Sequence, residues 1–118
     1  MTPKEEIEQM AFVNYLRLNK IDFFSPINEN EYSKYVPKKT AIMLEQKAKQ
    51  MGKVSGVNDT FVYLPKVLLH IEFKRRDKKN KQSEAQLIWE NKVNKYSYCV
   101  YKVAYSYEEA IKIVEAHK

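Results

Sequence analysis

At 118 residues, 44% hydrophobic and 31% charged, the chain is long enough to bury a core and has the composition of a soluble globular protein. No apolar run approaches the length of a bilayer span, the polar start MTPKEEIEQ excludes a signal peptide, and two glycines with four prolines argue against long disordered stretches. A net charge of +6, from 21 basic against 15 acidic residues, suits a polyanionic partner, although charge alone equally serves solubility or an acidic protein surface.

Thr2-Pro3-Lys4-Glu5 reads as a capping box with proline at the first helical position, opening a helix to about Asn19. Ile7, Met10, Ala11, Val13 and Leu16 supply its apolar spacing. Ile21 to Ser25 predicts a short strand, followed by a polar connection. A second helix runs from about Lys38 to Met51 and ends at Gly52, a natural terminator. Thr60 to Leu64 and Val67 to Lys74 read as strands, and Pro65-Lys66 between them is short enough for a hairpin. Gln82 to Val93 is helical, and Tyr98 to Val103 is a strand holding Cys99, a lone cysteine that forms no internal disulfide. Tyr96, Tyr98, Tyr101 and Tyr105 read as core or rim. Ser106 caps a last helix to about Ala116. The order predicts a single α/β domain over residues 1–118, a mixed β-sheet flanked by helices with Val67–Phe73 as its central strand.

One stretch of that strand carries chemistry. In HIEFKRR, residues 70–76, Leu69, Ile71 and Phe73 share one face, and His70, Glu72 and Lys74 share the other. An isolated E-x-K is most often a surface ion pair. Upstream, however, both glycines of the chain fall in GKVSGVND, four apart, just before Asp59. Glycine serves where the backbone takes positive φ or lies close to something. The hairpin brings Asp59 to the end of the partner strand where Glu72 and Lys74 sit. Two clustered carboxylates repel unless a proton or a cation lies between them. Their oxygens favour Mg2+ or Mn2+ over zinc, and a nearby ammonium would neutralise a phosphate or an activated water. These parts describe metal-assisted phosphodiester hydrolysis.

The basic segment Lys74, Arg75, Arg76, Lys78, Lys79 and Lys81 links this strand to the following helix, so phosphates held there would lie near the scissile bond. Lys47, Lys49 and Lys53 extend the track. His70 is expected to pack at the strand end or touch a phosphate. Ser83 reads as a helix cap, a phosphate contact, or both.

Asp59 followed by Glu72-Phe73-Lys74 matches the PD-(D/E)xK nuclease signature. GKVSGVND, IEFK, SEAQLIW and YSYEEAIKIV together resemble the VRR-NUC family, of the stand-alone phage or bacterial type, over most of residues 45–115. Ser83 and Gln86 fit that family's S-x-x-Q. Asn58 stands where the family usually has proline, a position expected to shape the turn and supply no ligand. The resemblance implies a restriction-endonuclease-like core in which Asp59, Glu72 and the Phe73 backbone carbonyl ligate Mg2+ or Mn2+. Lys74 would position the attacking water and Gln86 would orient the group. A first-helix glutamate, best matched by Glu8, would reach the metal through water, with Glu5 and Glu6 as cap and solvent residues. It further implies a homodimeric, cytoplasmic endonuclease of a bacterial or phage-infected cell, acting on Holliday junction-like branched DNA. A flap, nicking or restriction-type nuclease, or a catalytically silent DNA-binding scaffold, stands as the alternative.

Overall fold

The computed structural model describes residues 3–26, 36–75 and 81–118. Thr2 of the expected capping box, and Arg76, Lys78 and Lys79 of the basic segment, lie outside them. Helix α1 (Pro3–Leu18) opens on proline with Glu5 and Glu6 in its first turn and Arg17 in its last, which complements the helix dipole. It closes with Lys20 at a left-handed φ of 56°, so that Ile21 N–H donates to the Leu16 carbonyl at 2.9 Å. Helix α2 (Lys38–Gln50) closes the same way on Gly52, φ 107°, with Lys53 N–H on the Ala48 carbonyl. The glycine terminator is therefore where the sequence put it, and Lys20 does the same job at a backbone cost.

Strands β1 (Phe23–Phe24), β2 (Thr60–Tyr63), β3 (Leu68–Phe73) and β4 (Cys99–Ala104) form one sheet in that order. The first two pairings are antiparallel and β3–β4 is parallel, its crossover carrying helix α3 (Glu84–Val93). Helix α4 (Tyr107–His117) follows β4. The sheet is mixed and flanked by helices, as expected, and β3 is central. Its Leu69, Ile71 and Phe73 pack with Phe12 and Leu16 of α1, Val62 of β2 and Ala110 and Val114 of α4. The other face of β3, with His70, lies beneath Trp89 of α3. A strand covered on both sides is buried along its length, and β3 is.

The α1 stripe needs correction. Ile7 is 63% and Met10 60% exposed, whereas Glu5, Glu8, Phe12 and Leu16 are buried. The buried face begins with acids because the first half of α1 abuts the charged end of the sheet and the start of α4. Among the described residues no helix is long and apolar enough to cross a membrane.

Candidate active site

Thr60 pairs with Ile71, so Asp59, directly before β2, lies beside the last residues of β3. Its Oδ2 accepts a hydrogen bond from Phe73 N–H at 2.7 Å. Glu72 and Lys74 are only 4% and 7% exposed, which rules out a solvated surface pair. Lys74 Nζ stands 3.8 Å from Glu72 Oε2. Gln86 bridges them: its Oε1 accepts from Lys74 Nζ at 2.9 Å and its Nε2 donates to Glu72 Oε2 at 3.2 Å.

Helix α3 holds Gln86 in place through its own start. Ser83 caps it, with Gln86 N–H donating to Ser83 Oγ at 3.2 Å and Ser83 N–H donating to Gln86 Oε1 at 2.9 Å. The Gln86 carbonyl oxygen thus serves the helix cap and the site together. Gly56 explains why the preceding loop can sit there. Its φ is 80°, and a Cβ would lie 2.4 Å from the Ala85 carbonyl carbon and 2.6 Å from Gln86 N. Positive φ and close approach, both expected of this glycine, coincide.

Burial pushes the Glu72 carboxyl up to about 9, helped by the charge of Asp59 and opposed by Lys74. Burial also raises Asp59, although the Phe73 N–H pulls it down. Glu5, 5% exposed, adds to the upward push on both. The two carboxyls interact directly, and their mutual repulsion with burial favours a proton or a cation between them.

The α1 acid whose charge acts on this pair is Glu5. Glu8 Oε2 instead accepts from Tyr107 N–H at 2.6 Å, at the first turn of α4. Acids at positions 5 and 8, one helical turn apart and followed by Phe12, formed the stripe that would have revealed this. Asn58, assigned no more than a turn, is fully buried and contacts three segments. No local sequence signal marks it. His70 packs beneath α3 edge-to-face with Phe61, ring centroids 4.7 Å apart, and burial lowers it to about 4.

Of the expected phosphate contacts, Lys81 and Ser83 are exposed and Arg75 is half-buried. Lys53 is paired with Glu45 at 2.9 Å. Lys47 and Lys49 are exposed in the last turn of α2.

Whether these residues fit a divalent cation is decided by the donor set. Among the described residues no three His, Cys, Asp or Glu gather closely enough to cage a metal. Mg2+ does not need that cage. It keeps several waters and is held by one or two carboxylates plus substrate phosphates. Asp59 and Glu72 supply that minimum, and Glu72 Oε1 is buried with no hydrogen-bond partner among the described residues, an oxygen left for a shared proton or a cation. The residues fit Mg2+ or Mn2+.

No family model matches the chain, and no curated protein does. Among solved structures, a VRR_NUC domain protein superposes with a TM-score of 0.64 at 20% identity, covering 98% of this chain and 88% of that one. The chain shares the fold of that protein, an α/β nuclease-like core.

Proposed function

We propose that the chain is a metal-dependent endonuclease that hydrolyses phosphodiester bonds in DNA. The observation that carries this is the buried Asp59–Glu72 pair tied through Gln86 to Lys74. A DNA-binding module needs positive charge and has no use for two carboxyls buried against each other. The likeness to a VRR_NUC domain protein supports the same reading.

Asp59, Glu72 and the Phe73 carbonyl would hold Mg2+ or Mn2+, which when bound supplies charge neutralisation at the phosphate and acidifies water. Lys74, fixed by Gln86, presents its ammonium to the phosphate and positions the attacking water. Glu5 keeps the site acidic enough that it favours a cation. Water adds to phosphorus, the P–O bond to the departing strand breaks, the water loses a proton and the departing oxygen gains one. Branched DNA is the proposed substrate and a homodimer, with two sites at a fixed separation, the proposed assembly.

The test is cleavage of four-way junctions, flaps and linear duplex in Mg2+, Mn2+ or EDTA, beside the molecular mass in solution. Metal-dependent cutting that favours the junction supports the proposal, and protein inert toward every DNA in both metals contradicts it.

A further inference from the structure

Helix α3 is poorly anchored by apolar packing. Val93 is its one buried residue, while Leu87 and Ile88 on the same helix are exposed. Yet Gln86 must be held to within 3.2 Å of Glu72 and 2.9 Å of Lys74. Polar ties have to do what a hydrophobic stripe does elsewhere.

Asn58 makes the most connected of them. It is 0% exposed. Its Nδ2 donates to the Thr60 carbonyl at 2.8 Å. Its Oδ1 accepts from Trp89 Nε1 at 2.8 Å and meets His70 Nδ1 at 2.9 Å. An indole N–H can only donate, which fixes the oxygen of the carboxamide on that side. His70 Nδ1 therefore carries its proton and donates to the same oxygen. The Phe61 ring, edge-on with ring centroids 4.7 Å apart, holds the imidazole in this orientation.

The three partners sit on the elements that bear the site. Thr60 opens β2 next to Asp59. His70 lies on β3 two residues before Glu72, on the same face. Trp89 lies on α3 three residues after Gln86, on the same side of the helix. One carboxamide thus spans the start of β2, the middle of β3 and the body of α3.

We propose that Asn58 is the positioning residue of the site: its carboxamide docks α3 onto β3 and thereby sets where Gln86 stands relative to Glu72 and Lys74. The kinetic part of this proposal rests on the nuclease reading, and the structural part does not.

Two variants test it. Asn58→Leu removes all three bonds at similar volume, and Trp89→Phe removes only the indole N–H while keeping a ring against His70. In metal-free, DNA-free protein, exchange of the Gln86 side-chain amide protons with water is followed by NMR, with a thermal melt confirming that each variant is folded. Both variants are expected to speed that exchange, because an amide held by fewer fixed neighbours opens to water more often. In cleavage assays Trp89→Phe is expected to lower kcat about tenfold with KM unchanged, and to change kcat less than about twofold when Gln86 is already alanine, because residues acting through one another are not additive. Unchanged Gln86 exchange in a folded Trp89→Phe variant overturns the proposal, as does full additivity with Gln86→Ala. An inert wild type overturns the nuclease reading instead, and the exchange measurement alone then decides the role of Asn58.

Discussion

Glu72 titrates far from its ordinary value of 4.5, at about 9, because burial and the neighbouring Asp59 charge disfavour its ionised form. The folded protein therefore keeps a proton that the unfolded chain has released. The resulting stabilisation is complete below about pH 4.5 and is lost progressively as pH rises to about 9. His70 works in the opposite sense: lowered to about 4 by burial, it contributes stability above its usual 6.5 that is lost as pH falls. Between pH 7 and 9 the His70 contribution is nearly complete, and the carboxyl pair dominates the change, with the raised Cys99 acting in the same direction near pH 9. Thermal melts in EDTA should show the wild type losing stability across that interval, with Glu72→Gln flattening the loss. A wild-type curve that rises toward pH 9 would refute the shared-proton picture. The convergence of Asp59, Glu72 and Lys74 was legible in the sequence because E-x-K on a strand and a hairpin of two turn residues leave little geometric freedom, whereas Gln86 was expected only from the resemblance to the VRR-NUC pattern. Asn58 was not, since a carboxamide gains its role only when a tryptophan and a histidine distant in sequence converge on it.

At the scale of elements, the site depends on how closely the 52–59 loop approaches α3. Gly56→Ala would force a Cβ into the Ala85 carbonyl at a left-handed backbone position. The expected loss is about 2–4 kcal/mol of stability, from backbone strain and overpacking together. It should bring a fall in cleavage larger than the fall in DNA affinity, because Gln86 is the residue displaced; denaturant melts beside cleavage rates measure both. Lys20→Gly, at the other left-handed position, should raise stability by about 0.5–1 kcal/mol, read as a higher denaturant midpoint. Hairpin, sheet centre and the α2 terminator followed from turn chemistry and alternation, which are local. The buried face of α1 did not, because apolar periodicity pointed to Ile7 and Met10, while the helix spends that part of its inward face on acids. Glu5 turns toward the carboxyl pair and Glu8 holds the first turn of α4.

Across the whole molecule, the starts of α1, α3 and α4 gather at the end of the sheet where β3 finishes: Glu5 beside the carboxyls, Gln86 between them and Lys74, Tyr107 on Glu8. The partial positive charge of these starts is met by the acids of the first turn of α1, by the Ser83–Gln86 cap and by Glu8, and attraction to a polyanion rests on the net +6. Affinity for DNA should fall steeply with salt, and Lys81→Ala should flatten the log–log salt dependence by about one unit if that exposed side chain neutralises one phosphate. An unchanged slope would remove it from the interface. Under the proposed function, Asp59 and Glu72 exchange a shared proton for a divalent cation. Calorimetric titration of Mn2+ at pH 7.5, in two buffers of different ionisation enthalpy, tests it most directly. About one proton released for each cation bound is expected, with binding abolished in Glu72→Gln. No Mn2+ binding to the wild type, or binding without proton release that survives Glu72→Gln, would contradict it.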